Sequence, residues 1–277
     1  MEIRKHICFQ PHKVPKLVEY LRKNQVPFVD DEDLCVLDIY ESSHHWEFVK
    51  NQVSSANLFC LTETIYSKKE LQNAQWLHMR SQWRFGYPQP EDDFHYENIT
   101  YSRKNHCPEC SSGLEQTSPF RIKKAPKWGK RHFAELNWVG DELFVDDAAE
   151  FVLTQAVISG ISFGEVCNKN GTEVIPGIRQ MQIERILDLG LKADRPSIRE
   201  MAACPRCGIA KFVPSGIGML AFSKEIFENQ PDIVKSGEIF GSGHYASRII
   251  LIRQNVYQVL ASSKLDRGLV FEPIALV

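Results

Sequence analysis

The chain has little net charge, no long apolar run and no recognisable leader segment. Its 277 residues include 33 lysines and arginines against 35 aspartates and glutamates, a formal net charge of −2. Such a balance creates no overall field that would attract nucleic acid or an anionic membrane. Apolar runs such as residues 248–252 are far shorter than the roughly 20 residues needed to cross a bilayer. We therefore expect no membrane association.

The first residues also lack the marks of secretion. Residues 1–9 alternate polar and apolar side chains and contain no continuous apolar stretch followed by small residues, as a signal peptide would. The composition, 43% hydrophobic and 25% charged, is ordinary for a globular protein. We expect a cytoplasmic location, where thiols stay reduced.

Convincing catalytic motifs are missing as well. Residues 160–164 match GxSxG, but a nucleophile elbow needs a strand before the serine and a helix after it, and here the predicted order is reversed. Residues 216–221 and 241–246 fit GxGxxA, which indicates dinucleotide binding only between a strand and a helix. Both are predicted to be turns. We therefore expect a protein that is not an enzyme.

Cysteine, in contrast, is present in an informative pattern. Four of the eight cysteines form two CxxC pairs, Cys107-Pro-Glu-Cys110 and Cys204-Pro-Arg-Cys207. In a reducing compartment this pattern favours a metal site over disulfides. The remaining four lie singly among apolar neighbours and are predicted to be buried free thiols: Cys8, Cys35, Cys60 and Cys167.

The two CxxC pairs predict one structural Zn²⁺ site. The turn in CxxC brings two thiolates to the same side, and four thiolates complete a tetrahedral site with no open position for water. The pairs are separated by 93 residues, so the ion would join two distant segments. Gly208 follows the second pair, whereas Ser111 follows the first. His106 is interpreted as an exposed neighbour, and a redox role is disfavoured because neither pair lies in a βαβ pattern.

Hydrophobic periodicity predicts several elements in the first hundred residues. Residues 3–9 are predicted to be a strand and residues 14–23 a helix, with Leu17 and Leu21 on its apolar face. Ser67 and Glu70 form a capping-box pattern, and the helix that begins there is predicted to continue to about residue 83.

A helix, glycine and strand pattern occurs twice in the second part of the chain. Residues 160–166 align with residues 268–274, and each segment follows a predicted helix. We therefore predict an α+β fold with two similar helix–Gly–strand halves, tied by the zinc site between the distant CxxC knuckles. The predicted division is an N-terminal α+β region, 1–102, and a zinc-knuckle region, 103–277. One continuous domain is the alternative.

A basic segment provides a candidate binding surface. It combines cations with an aromatic side chain: Lys123, Lys124, Lys127, Trp128, Lys130 and Arg131. Single-stranded nucleic acid or an acidic protein would use such a combination. A solvated loop beside a zinc knuckle is the favoured interpretation, and the binding interpretation stays open.

The knuckles, the helix–Gly–strand ending and the final Phe271-Glu272-Pro273-Ile274 resemble the double-CXXCG-motif family of bacterial proteins. The resemblance covers most of the chain, although the family pattern has a glycine where Ser111 stands. Some members are regarded as immunity proteins that neutralise a toxin. The resemblance therefore implies a zinc-stabilised, non-enzymatic binding protein whose protein partner is a cognate toxin. Nucleic-acid binding through residues 121–132 is the alternative function.

Overall fold

In a computed structural model of the protein, residues 1–243 and 246–277 are described. Helices and strands are both present, so the prediction of a mixed fold is confirmed. The α-helices are α1 Pro15–Lys23, α2 Trp46–Ser55, α3 Lys68–Asn73, α4 Tyr96–Thr100, α5 Asp147–Gln155 and α6 Gln254–Ser262. Short 3-10 helices cover Pro11–Lys13, Asp92–Phe94 and Lys224–Phe227. Within these described residues, no helix has the length and apolar character needed to cross a membrane.

Short strands account for much of the remaining structure. In chain order they are β1 Glu2–Phe9, β2 Cys35–Tyr40, β3 Phe59–Ile65, β4 Trp76–Ser81, β5 Tyr101–Ser102, β6 Glu115–Gln116, β7 Arg121–Ile122, β8 Phe133–Leu136, β9 Val139–Val145, β10 Ile161–Gly164, β11 Cys167–Asn168, β12 Arg179–Ile183, β13 Ile198–Ala203, β14 Ala210–Pro214, β15 Ala221–Phe222, β16 Ile233–Lys235, β17 Ile239–Phe240, β18 Ile250–Arg253, β19 Leu269–Pro273 and β20 Ala275–Leu276.

The N-terminal sheet has the antiparallel order β2-β1-β3. Alternate side chains of a strand point to opposite faces, and Ile7 and Leu37 are buried on the face that packs against Leu17 of α1 and Val49 of α2. The predicted strand 3–9 and helix 14–23 are therefore confirmed. Apolar burial against two helices stabilises this sheet.

The helix that begins after Ser67 is much shorter than predicted. Ser67 and Glu70 do form the predicted capping box, but α3 ends at Asn73 and the next residues form β4. Leu77 and Met79 are buried at strand spacing, and β4 lies between β18 and β19. The continuation of the helix to residue 83 was wrong, because hydrogen bonds to strands that are distant in sequence override local helix propensity.

Two four-stranded sheets share one arrangement of helix and strands. In one, β9 and β10 lie on either side of β12; in the other, β18 and β19 lie on either side of β4. All these neighbours are antiparallel, so each outer pair runs in parallel and is joined through a helix, α5 or α6. Gly160 and Gly268 precede the final strands with φ of +88° and +83°. Both predicted helix–Gly–strand segments are present.

The largest apolar core lies between these two sheets and the helices α5 and α6. It contains Met79 of β4, Leu143 of β9, Leu153 of α5 and Leu260 of α6, each at most 1% exposed. β4 precedes residue 102 and both strands beside it follow that residue, so hydrogen bonds of one sheet cross the predicted regional boundary.

Candidate metal centre

Each CxxC pair lies in the connection between two antiparallel strands. Cys107 and Cys110 lie between β5 and β6, and Cys204 and Cys207 lie between β13 and β14. Strand pairing brings the ends of each connection together, so each CxxC forms a compact turn.

The backbone of the two turns is nearly equivalent. The Cys107 amide donates to the carbonyl of Ser112 at 2.8 Å, and the Cys204 amide donates to that of Ile209 at 3.0 Å, five residues later in both cases. Ser111 and Gly208 occupy equivalent positions with φ of +55° and +72°. Ser111 therefore adopts the left-handed conformation that glycine adopts in the second turn.

All four predicted ligand atoms are brought together. The sulfurs of Cys107, Cys110, Cys204 and Cys207 lie within 4.8 Å of one another, and this group could hold a metal ion. Sulfur–sulfur distances across the turns are 3.8 Å for Cys107–Cys204 and 3.7 Å for Cys110–Cys207. Three of the four cysteines are buried and Cys207 is exposed.

Local hydrogen bonds favour the thiolate form at two of these cysteines. Burial raises the pKa of Cys110, but hydrogen bonds with the side chain and amide of Ser112, and then with the sulfurs of Cys207 and Cys204, lower it to about 6. Backbone amides of Cys207 and Arg206 lower the pKa of Cys204. Because the thiolate is the form that binds metal, these amides prepare the site for a cation.

The neighbouring sulfurs disfavour ionisation of Cys207. The Ile209 amide lowers the pKa of Cys207, but desolvation and the neighbouring sulfurs of Cys204, Cys110 and Cys107 together raise it to about 11. A bound cation would oppose this repulsion, because positive charge stabilises adjacent thiolates.

Lys211 of β14 links the second turn to the first. This buried side chain, 6% exposed, directs Nζ to the carbonyl of Cys110 at 3.4 Å and to that of Gly243 at 2.7 Å. Its ammonium group thus lies beside a cluster that would be anionic with four thiolates and one divalent cation.

The other sulfur and imidazole candidates do not join the cluster. Cys35 is buried, whereas Cys8, Cys60 and Cys167 are half-buried, so complete burial was correct only for Cys35. His106 contacts Arg103 through both ring nitrogens and is absent from the metal-binding group found among the described residues.

The basic segment is partly anchored to the protein. Trp128 is half-buried, donates from Nε1 to the carbonyl of Gly177 at 2.9 Å, and meets Trp83 edge-on at 5.5 Å between ring centroids. Lys123 pairs with Glu91 at 2.7 Å, and Arg131 lies over the Trp83 ring at 5.2 Å.

Three exposed lysines of this segment differ from Lys123 in their lack of an ion pair. Lys124, Lys127 and Lys130 form no ion pair with any residue in the described part of the chain. They border the anchored Trp128, so the segment offers free cations but no free aromatic ring.

A partly exposed face of the N-terminal sheet forms a second surface, and four of its residues also line a cleft: Arg4, His6, Leu61 and Glu63. On the side away from α1 and α2, Leu61 lies opposite His6 and Phe59 lies opposite Cys8. Phe59 is 63% exposed, Leu61 52% and Tyr40 39%. This open sheet face is defined by Arg4, His6, Cys8, Val36, Asp38, Tyr40, Phe59, Leu61 and Glu63.

The sequence matches no protein-family model, and no curated protein matches it. The function is therefore inferred from the cysteine cluster, the basic segment and the open sheet face.

A cleft beneath the open sheet face had no signal in the sequence. Its polar lining includes Arg4, Tyr66, His78 and Glu272, which come from four separate strands or connections. Recognition of residues 76–81 as a strand would have placed His78 and Arg80 together on one face, opposite the buried Leu77 and Met79.

Proposed function

We propose that the four cysteines hold a structural Zn²⁺ ion. A tetrahedron with zinc–sulfur bonds of about 2.3 Å has sulfurs about 3.8 Å apart. The distances of 3.8 Å and 3.7 Å between the turns support this assignment. Four sulfur ligands leave no coordination position for water, so the ion would stabilise the fold and take no part in a reaction.

The zinc would link the two four-stranded sheets, because each CxxC turn belongs to a hairpin that contacts one of them. In the first turn's hairpin, Gln116 exchanges hydrogen bonds with Gln180 of β12 at 2.8 and 2.7 Å. In the second, Phe212 of β14 packs in one cluster with Val234 of β16 and Leu251 of β18. One ion between these hairpins would therefore couple both four-stranded sheets.

Substitution of a proposed ligand tests the zinc site. We expect Cys107→Ser to lose zinc and stability together, because metal binding is coupled to folding. Cys167→Ser is the control, since Cys167 is half-buried and lies outside the cluster. Elemental analysis and thermal unfolding measure both effects. One zinc per chain is expected in the unaltered protein and in the control, and a Cys107→Ser variant with zinc retained would contradict the assignment.

We further propose that this chain is not an enzyme and that it binds another protein in the cytoplasm. The open sheet face carries this proposal: exposed aromatic and aliphatic side chains beside polar ones characterise interaction sites, and Phe59 and Leu61 provide them. The resemblance to the double-CXXCG-motif family suggests a toxin as the partner, which would make this chain an immunity protein.

Co-expression with the products of adjacent genes tests the partner. We expect one product to inhibit growth, the unaltered chain to restore it, and Phe59→Asp to weaken both rescue and binding. Phe151→Asp is the matched control, because Phe59 and Phe151 are each 63% exposed but only Phe59 lies on the open sheet face. Failure of every neighbouring product to bind, or equal effects of the two substitutions, would reject this proposal.

Nucleic acid is a second candidate partner, favoured by the exposed Lys124, Lys127 and Lys130. Binding should weaken steeply with salt, and replacement of all three by Glu should abolish it, because phosphate contacts release counterions. The control replaces three exposed lysines near α1, Lys13, Lys16 and Lys23. No gel retardation at low salt, or equal losses in both triple variants, would exclude this candidate.

A further inference from the structure

Cys8, His6 and Asp38 form a hydrogen-bonded series on the open sheet face. The sulfur of Cys8 lies 3.5 Å from Nε2 of His6, and Nδ1 of His6 lies 3.0 Å from Oδ1 of Asp38. A thiol, an imidazole and a carboxylate in this order form the arrangement by which proteins activate a cysteine as a nucleophile. None of the three residues belongs to the four-cysteine cluster of the candidate metal centre.

Strand pairing holds these three side chains together. Cys8 and His6 are two positions apart on β1, so both point to the same face of the sheet. Asp38 of β2 is the residue directly opposite His6 in the antiparallel register. β1 lies between β2 and β3, so hydrogen-bonded strands on both sides fix the positions of His6 and Cys8.

The carboxylate determines which nitrogen of the imidazole carries a proton. An ionised carboxylate only accepts hydrogen bonds, so Nδ1 of His6 donates to Asp38. In the neutral ring, Nε2 then has a lone pair that can accept the proton of the Cys8 thiol. Because the thiolate is the reactive form of cysteine, His6 would act as the base toward Cys8, with Asp38 as a positioning residue.

The series is accessible from solvent. The side chain of His6 is 39% exposed and that of Asp38 is 51% exposed, while Cys8 is half-buried. His6 and Leu61 also line the cleft of about 520 Å³ beside the sheet. A small molecule can therefore approach this side of the sheet.

The backbone around Cys8 disfavours acyl transfer. Attack on an ester or amide develops an oxyanion, which free amide N–H groups commonly stabilise. The amides of β1 instead pair with β2 on one side and with β3 on the other. Conjugate addition of a thiolate to an α,β-unsaturated aldehyde proceeds without such donors, because the negative charge is delocalised and then neutralised by a proton. Addition therefore fits this site better than acyl transfer.

Apolar side chains lie on both sides of Cys8. In the sheet register, Val36 of β2 and Phe59 of β3 are directly opposite Cys8, and Leu61 is opposite His6. Phe59 is 63% exposed and Leu61 is 52% exposed. A molecule that reacts at Cys8 would lie against these side chains, so an apolar chain fits better than a charged compound such as glutathione disulfide.

We propose that Cys8 is a modification site for α,β-unsaturated aldehydes with an apolar chain. The sulfur attacks the β-carbon while its proton passes to Nε2 of His6; a carbon–sulfur bond forms and the carbon–carbon π bond breaks. The proton then moves from His6 to the α-carbon, so the adduct contains every atom of the thiol and the aldehyde. The reaction consumes one thiol per chain without turnover, and it is independent of the zinc site and of any protein partner.

Treatment of the full chain with 2-nonenal or 2-butenal tests the proposal. The two aldehydes have the same reactive group, but the chain of 2-butenal is five carbons shorter. Mass spectrometry of peptides gives the rate at each cysteine, and Cys60 is the internal reference, since it is also half-buried and burial raises its pKa. We expect Cys8 to react faster than Cys60, and about tenfold faster with 2-nonenal than with 2-butenal.

Variants of the series test the role of each group. His6→Gln should slow the reaction at Cys8 about a hundredfold, because the base is lost, and leave the rate at Cys60 unchanged. Asp38→Ala should cause a smaller loss. Asp38→Asn should recover part of that loss, because the amide oxygen can still accept from Nδ1 of His6.

A third substitution tests the apolar surface. Phe59→Ser should lower the rate at Cys8 with 2-nonenal but not with 2-butenal. Phe151→Ser is the matched control, because Phe151 is also 63% exposed but does not belong to the open sheet face.

Three results would overturn the proposal: a reaction at Cys8 no faster than at Cys60, an unaltered Cys8 rate in folded His6→Gln, or equal rates at Cys8 with the two aldehydes. Equal rates in Asp38→Ala and Asp38→Asn would reject the positioning role of Asp38. Circular dichroism verifies the fold of each variant, and the Cys60 rate in the same sample reports any general opening of the sheet.

Discussion

At the scale of single residues, the two CxxC turns have different amino acids at the same left-handed backbone position. Gly208 adopts φ of +72° without a Cβ, whereas Ser111 adopts φ of +55° with one. A left-handed conformation costs a residue other than glycine roughly 1–2 kcal/mol. The absence of glycine after Cys110 therefore leaves the turn geometry intact and adds local strain.

Substitution of Gly208 should affect both stability and metal binding. We expect Gly208→Ala to lower the free energy of unfolding by about 1 kcal/mol and to weaken zinc binding. The reason is that an alanine at this positive φ would strain the turn that positions Cys204 and Cys207. Gly177→Ala is the matched control: Gly177 has the same φ, +72°, and at both positions no atom lies within 4 Å of an added Cβ. Urea unfolding and competition with a zinc chelator measure the two quantities.

Equal zinc affinities in the two alanine variants would show that Gly208 has no role beyond its backbone conformation. A loss of affinity confined to Gly208→Ala would support its role in the metal site.

At the scale of elements, local sequence patterns predicted the start of the helix after Ser67 but not its end. The capping box was predictable because its hydrogen bonds join residues three positions apart. The end of α3 was not, because β4 pairs with β18 and β19, whose residues lie about 170 to 200 positions further along the chain. Because residues 76–81 were predicted to continue the helix, His78 and Arg80 were not recognised as neighbours on the face of β4 that lines the cleft.

The hydrogen bonds of Glu70 should make the stability of the protein depend on pH. Hydrogen bonds from the Met1 ammonium, and then from the amide and hydroxyl of Ser67, lower the pKa of Glu70 from 4.5 to about 2. Its contribution to stability is therefore present above pH 4.5 and lost as the pH falls toward 2. The difference in unfolding free energy between the unaltered chain and Glu70→Gln should shrink over this window. A difference that stays constant across it would contradict the interaction.

The backbone of Gly216 lies very close to that of β3. An added Cβ would lie 1.9 Å from the Thr62 carbonyl oxygen, whereas at Gly218 nothing lies within 4 Å. Both glycines have positive φ, +77° and +74°. We expect Gly216→Ala to lower the unfolding free energy by about 3 kcal/mol or more and Gly218→Ala by about 1 kcal/mol. Equal losses in urea unfolding would show that the contact with β3 yields readily.

At the scale of the whole molecule, a buried ion pair joins the two four-stranded sheets. Lys235 of β16 contacts Glu142 of β9 and lies 3.5 Å from Asp141, while Gln180 of β12 donates to Glu142 at 2.9 Å. Lys235 is 7% exposed and Glu142 is 8% exposed. Removal of one partner from such a pair leaves an uncompensated buried charge.

We expect Lys235→Met to lower the unfolding free energy by about 3–5 kcal/mol, and Lys235→Met with Glu142→Leu to recover most of that loss. Burial raises the pKa of Glu142 although Lys235 opposes this, so removal of Lys235 raises it further. The penalty of the single variant should therefore be largest at high pH and shrink as the pH falls to the ordinary value of 4.5. Unfolding curves across this range measure it, and additive losses in the double variant would argue against coupling.

The amino-acid sequence by itself determined the local features: β1, α1, the capping box, both helix–Gly–strand segments and the four cysteines of the candidate metal centre. Most of these features depend on residues a few positions apart, and the two CxxC pairs indicate a shared metal site through their spacing. Only the tertiary structure decided that residues 76–81 form a central strand, that Trp128 is anchored, and that Arg4, Ser197 and Glu272 share one cleft. These depend on contacts between segments far apart in the chain, for which local periodicity has no signal.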